Sequence, residues 1–248
     1  MDQNPDLKNK TERTAPTKVE LNPATLLAPV PVVLLSCQGL PGEGCDQPNL
    51  ITVAWTGTIN SEPPMVSVSI RPSRYSHAQI SQSREFVINL VDEKLLWATD
   101  FCGVKSGRDL DKFAACHLKA VKASQMAHAP AVAQSPLTLS CQVEQILPLG
   151  SHDLFLARVT AVEVSPGLLD HDNRLRIDKA RLVAYAHGNY YALGKLLGFF
   201  GYSIARPSVL AKRMPQVKQE AKVKVIPERN RRPRKLGTGG SKSRSNDQ

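Results

Sequence analysis

The sequence predicts a mainly β domain, a closed or nearly closed barrel with a few short helices, set between two charged terminal arms. Three observations carry this. Short runs rich in β-branched and aliphatic residues recur through the middle of the 248-residue chain, with turn-forming residues between them. Helical patterning is confined to three brief stretches. The formal net charge of +10 is concentrated at one end: residues 206–248 hold 13 of the 32 Lys and Arg but 3 of the 22 Asp and Glu, which leaves 19 of each in residues 1–205. The body is therefore neutral, and the pI of about 9.5 describes a tail.

The strand-like runs follow in order: PVVLLSC (31–37), NLITVAW (49–55), PMVSVSI (64–70), EFVINLV (85–91), TLSCQVEQIL (138–147) and DLFLARVTAVEV (153–164). In the last run apolar residues fall at Leu154 and Leu156, then at Val159 and Ala161 after a slip, as expected of a long antiparallel strand with a bulge. LVAYAHGNYYAL (182–193) completes the set as a hairpin turning at His187-Gly188-Asn189. Helices are expected over about 75–82, 94–101 and 109–115. Many strands with rare helices favour closure, because closure removes unpaired edges.

Residues 1–20 read as a disordered arm and 206–248 as a basic disordered tail, poor in aromatic residues, so the folded domain is expected over 21–205. YYALGKLLGFFGYSIARP (190–207) is expected to pack against the barrel or a partner subunit. The N-terminus has no apolar core of a secretory signal, and no run approaches the roughly 20 apolar residues that span a bilayer. Five cysteines show neither a CxxC pair nor a zinc spacing. Reduced thiols in a cytoplasmic protein are expected.

In NLITVAW, strict alternation puts Ile51, Val53 and Trp55 on one face, opposite Thr52, Ala54 and Thr56; in PMVSVSI, Val66, Val68 and Ile70 oppose Ser67 and Ser69. Small hydroxyls, clearance and one aromatic neighbour suit a flat heteroaromatic ring. SIRPSRYSHAQISQS (69–83) then sets Arg71, Arg74, Ser73, Tyr75 and Ser76 around a helix start, a phosphate-binding composition. The loop CGVKSGRDLDKF (102–113) lacks the GxxxxGK[ST] spacing of a P-loop, and the chain contains no GxGxxG. His77, His117, His128, His171 and His187 have no metal-ligand spacing.

Taken in order, NLITVAW, PPMVSVSIRPSRYS, SREFVINL, CGVKSGRDLDKF, SPLTLSCQV and GSHDLFLARV resemble the flavin reductase-like, FMN-binding split-barrel family over about residues 28–200. The resemblance implies a homodimeric split barrel with FMN near the subunit interface. The positions matching the family's flavin contacts are Asn49 and Trp55, Ser76 where relatives often carry Thr, Lys112 and His152. Thr52 joins them from the hydroxyl face. Ser76, with Arg74, would bind the phosphate; Lys112 and His152 would lie near the pyrimidine edge or ribityl chain, where a cation favours reduced flavin. Trp55 would bound the ring, and Tyr185, Tyr190 and Tyr191 compete for a further aromatic contact.

The activity so implied is hydride transfer from NAD(P)H to flavin, with the nicotinamide stacking transiently on an exposed ring because no dinucleotide motif exists. The phosphate contacts would equally admit FAD, its adenylate extending outward. An electron-transfer flavoprotein without nicotinamide turnover needs the same pocket. A third reading makes the tail primary: RNRRPRK (229–235) would attract nucleic acid weakly, without sequence preference and with steep salt dependence.

Overall fold

Strand formation follows the apolar runs, and the order of the strands decides where a ligand can enter. The computed structural model describes residues 17–214. Its strands are β1 (Val30–Pro31), β2 (Val33–Cys37), β3 (Asn49–Val53), β4 (Thr56–Ser61), β5 (Pro64–Ile70), β6 (Glu85–Leu90), β7 (Ala120–Lys122), β8 (Pro130–Val132), β9 (Leu137–Pro148), β10 (Asp153–Val164), β11 (Val183–Ala186) and β12 (Asn189–Ala192). The helices are α1 (Tyr75–Ser83), α2 (Leu96–Val104), α3 (Lys112–Ala115) and α4 (Pro207–Arg213).

Seven strands form one antiparallel sheet in the order β3-β2-β6-β9-β10-β5-β4, and β1-β11-β12 and β7-β8 form two small sheets. This is the mainly β split barrel that the sequence predicts. Register shifts at Leu156/Ala157 and Val159/Ala161 bend β10, the bulge expected there. Its phase differs from expectation: Phe155 and Ala157 are the buried pair, while Leu154 and Leu156 are only half-buried. The hairpin β11–β12 turns on His187 and Gly188 with φ of 46° and 88°, the left-handed pair that matches the twist of two strands.

Inside the barrel Val33, Leu35, Val68, Phe86 and Phe155 are buried in one cluster. Each such side chain contributes about 1.5–3 kcal/mol by leaving water. A second cluster joins Leu34 and Leu50 to Leu95, Ala98, Cys102 and Phe113. β2 and β3 are thus covered on both faces, by the barrel interior and by α2 and α3, which is why they read as continuous apolar runs.

Three local expectations change. β3 ends at Val53, and a bend at Ala54-Trp55 breaks the alternation, so Trp55 leaves the face of Ile51 and Val53 and is 46% exposed. A separate strand, β4, then precedes the Pro63-Pro64 corner; its sequence TGTINS has no apolar alternation to announce it. Within the segment expected as tail, Pro207–Arg213 is helical, with Pro at the start, where its missing N–H does no harm. The rest of the tail, including RNRRPRK, and residues 1–16 of the arm lie outside the described residues.

The chain divides into two units at Gly194/Lys195. In the second, Arg213 lies over the Phe199 ring at 4.8 Å. In this unit Leu196, Leu197, Phe200 and Ile204 are exposed. Among the described residues no helix is long and apolar enough to cross a membrane. All five cysteines are free and buried.

Candidate functional site

Where β3 ends, the β5–α1 connection, α2 and the α2–α3 loop leave a cleft of two adjoining compartments, about 360 and 290 Å³, which share Ile51, Arg71 and Arg74. The smaller is cationic. Arg71, Arg74, Lys105, Arg108 and Lys112 line it together with Asn49, Ser73 and Ser76, and no carboxylate does. α1 begins at its wall, and the residue before it, Arg74, supplies no side-chain cap, so the amides of Tyr75 and Ser76 keep their donors for another acceptor, while that of His77 bonds the Arg74 carbonyl.

Two buried polar residues make the floor. Asn49, 3% exposed, donates from Nδ2 to Ser76 Oγ (2.8 Å) and Gln79 Oε1 (3.1 Å). Gln79 is itself fixed, donating to the Cys45 and Gln47 carbonyls at 2.8 and 2.7 Å. Asn49 is thereby pinned, yet its Oδ1 is buried with no partner. Gly107 passes so close that a Cβ there would lie 2.2 Å from that oxygen. Lys112, also 3% exposed, donates from Nζ to the carbonyls of Leu50 (2.7 Å) and Cys102 (2.9 Å). Burial holds its pKa below the ordinary 10.5, against the pull of Cys102 and Cys37. Arg108 donates to the Ser73 carbonyl at 3.2 Å and lies over the Tyr75 ring at 5.4 Å.

The larger compartment is aromatic at its rim. Trp55 and His152 pack with centroids 4.8 Å apart and planes at 42°. His152 sits in the β9–β10 turn beside Ser151, whose Oγ is 3.0 Å from its Nδ1. Burial, then the charge of Arg71, lowers its pKa below 6.5 and favours the neutral imidazole. Tyr185 and Tyr190 line the same compartment; Tyr190 donates to Asp100 Oδ1 at 3.1 Å, and burial followed by that carboxylate pushes its phenol up to about 12. His77 Nε2 meets Asp153 Oδ2 at 2.8 Å, tying α1 to the turn that carries His152.

The cleft brings together all seven residues expected from the sequence, distributed between its compartments. Asn49, Ser76 and Lys112 line the cationic end, Thr52, Trp55 and His152 the aromatic end, and Arg74 both. Lys112 and His152, both expected near the pyrimidine edge or the ribityl chain, line different compartments. Thr52 lines the cleft while its hydroxyl donates to the Thr99 carbonyl on α2. Of the three competing tyrosines, Tyr185 and Tyr190 line the cleft and Tyr191 does not. Sequence reasoning did not assign Lys105, Ser106 and Arg108, although their density in one Gly-containing loop was a signal, nor Gln79, for which no signal existed.

An orphaned buried acceptor, an uncapped helix start and an acid-free cationic cluster, continuous with an aromatic slot, fit a molecule with a phosphate at one end, hydroxyls between and a flat ring at the other. FMN has that order of groups. Asn49, Ser76, Arg74, Arg108 and Lys112 would hold its polar end, and Trp55, His152, Tyr185 and Tyr190 would border its ring.

Comparison with known proteins agrees. A family model described as the flavin reductase like domain matches residues 26–194. The solved flavoredoxin of Desulfovibrio vulgaris (Miyazaki F) superposes with a TM-score of 0.69 at 26% identity, covering 76% of this chain and 100% of that one. An uncharacterized protein of Archaeoglobus fulgidus is 29% identical over 119 residues, 48% of this chain and 67% of its own length. The reductase component of a 4-nitrophenol 4-monooxygenase/4-nitrocatechol 2-monooxygenase from Rhodococcus opacus is 28% identical over 116 residues, 47% and 58% of the respective chains. Relatives from Aeropyrum pernix and Pyrococcus abyssi are spanned over 41% and 66% of their lengths.

Proposed function

The chain belongs to the flavin reductase like domain family, and from that premise we propose that it binds FMN in the cleft and transfers hydride from NAD(P)H to the flavin. The observation that carries this is the cleft's polarity: one end cationic and free of acids, the other aromatic and open to solvent beside the exposed Trp55. When bound, FMN supplies a two-electron acceptor at its ring and passes the electrons onward.

The chain's own residues bind and orient. The Ser76 hydroxyl and the amides of Tyr75 and Ser76 receive the phosphate, with Arg74 and Arg108 as charge-assisted donors. Lys112 contributes fixed positive charge from the floor, and Asn49 Oδ1 accepts from a ribityl hydroxyl. Trp55 and His152 limit the ring's outer edge; a neutral His152 leaves that edge without added charge. FAD in place of FMN would extend its adenylate past Lys105 and Arg108. In this reading the protein works as a cytoplasmic homodimer, and a second copy would cover apolar residues that α2 exposes, Trp97 and Val104 among them; sedimentation at micromolar concentration checks this.

Anaerobic mixing of the FMN-loaded protein with NADH or NADPH tests the reaction. Rapid loss of the flavin absorption is expected with one or both. Protein that stays colourless in excess FMN sinks the cofactor assignment. Protein that colours but is bleached only by dithionite sinks hydride transfer and leaves a second reading, an electron-transfer flavoprotein, which the likeness to flavoredoxin over that protein's full length favours.

A further inference from the structure

Arg71 stands at the seam of the cleft, and the phosphate end does not account for it. β5 ends at Ile70, held opposite Asp153 of β10, and Pro72 turns the chain away, so Arg71 lies on the outer lip and lines both compartments. Of the other cations that line the smaller compartment, Lys112 is held by two carbonyls, Arg108 is bonded to Ser73 and stacked on Tyr75, Arg74 directly precedes α1, and Lys105 is not part of the larger compartment's lining. Arg71 is exposed, and among the described residues its guanidinium makes no ion pair and no hydrogen bond. It also lies near enough to His152 for its charge to act on that ring, on the aromatic side of the seam.

Position and chemistry converge on an anionic molecule laid over the open ring compartment. A guanidinium offers five N–H donors in a planar fork that fits phosphate oxygens. A nicotinamide placed over the compartment beside Trp55 would bring its pyrophosphate to the cleft's lip. With no GxGxxG turn in the chain to receive that group, a rim cation is the recognition available. Resting on the hydride-transfer reading above, we propose that Arg71 binds the pyrophosphate of the incoming nicotinamide dinucleotide and is a specificity-determining residue for the cosubstrate, outside the machinery that retains FMN.

The test compares the full-length, FMN-loaded protein with its Arg71→Gln and Arg71→Lys variants. For Arg71→Gln, KM for the preferred nicotinamide nucleotide should rise about tenfold, the effect of losing one solvent-exposed charge-assisted contact, while kcat changes by less than about twofold. Calorimetry should show a similar, about tenfold loss of affinity for ADP-ribose, which carries the pyrophosphate without the nicotinamide. Arg71→Lys should recover part of both, since it keeps the charge and loses the fork. An uncharged donor, 1-benzyl-1,4-dihydronicotinamide, should reduce wild type and Arg71→Gln alike.

Unchanged ADP-ribose affinity in a flavin-loaded variant overturns the inference. So does a weakening of FMN binding larger than that of ADP-ribose, which would assign Arg71 to the cofactor's phosphate, and so does a loaded wild type that binds no ADP-ribose. A wild type that takes up no FMN overturns the flavin reading itself, so the two failures are told apart.

Discussion

Replacing Lys112 by Met keeps the stem and removes the ammonium, and two buried carbonyls, those of Leu50 and Cys102, then lose their donor. An unpaired buried acceptor costs about 1–3 kcal/mol, so the pair would cost roughly 2–6. Against this stands the relief of no longer burying a cation, whose strain shows in its lowered pKa. A net loss of about 2–4 kcal/mol is expected, which for a domain of this size lowers Tm by roughly 5–15 °C. The cationic end also loses one of its five charges, and the dissociation constant for FMN should rise about 10- to 100-fold. Differential scanning calorimetry of the apo-protein and flavin fluorescence titration measure the two effects separately. The pH dependence has a definite sign. A lysine whose folded pKa lies below its unfolded value binds fewer protons when folded, so its penalty is full below the folded pKa and lifts as pH rises toward 10.5. Wild type should therefore gain stability over Lys112→Met between neutral pH and about pH 10. A Tm change under about 2 °C with unchanged FMN affinity would refute the argument, because it would mean that the ammonium neither satisfies those carbonyls nor acts on the cofactor.

Gly107→Ala places a methyl group 2.2 Å from the pinned Asn49 Oδ1, so the loop must move; FMN affinity should fall about tenfold or more by fluorescence titration, and an unchanged value would mean that the loop yields freely. His152, with its folded pKa below 6.5, binds its proton less readily when folded than when unfolded; its contribution to stability is complete above 6.5 and is lost as pH falls through the folded value. NMR titration of the ring should show that midpoint moving upward in Arg71→Gln, and no movement would remove Arg71 as a contributor. Deleting residues 215–248 should leave FMN binding intact and abolish retention on nucleic acid at low salt; loss of FMN on deletion would give the tail a part in the site.

Legibility in the sequence tracked how locally each feature is encoded. The apolar runs at 64–70, 85–91 and 153–164 became strands with nearly the expected limits, because burial of one or both faces dictates their composition. β4 was silent because TGTINS is a largely exposed edge strand whose pairing with β5 calls for no apolar alternation. Trp55 misled through a two-residue bend that no propensity marks, and alternation set Thr52 on its face without showing that its hydroxyl is taken by the Thr99 carbonyl. Asn49, Ser76 and Lys112 were legible as members of an ordered motif. What they do was not: the unpartnered Oδ1, the fixed Gln79 and the two carbonyls under Lys112 are meetings of residues 10 to 62 positions apart.

The His77–Asp153 contact joins α1 to the start of β10. One of its partners follows Ser76 in α1 and the other follows His152 at the start of β10, so a hydrogen bond 2.8 Å long connects the helix start at the cationic end to the turn at the aromatic end. Steadying either end then steadies the other: a cofactor seated by its tail would find the ring pocket already stiffened, and a ligand touching only the ring would be felt at the head of α1.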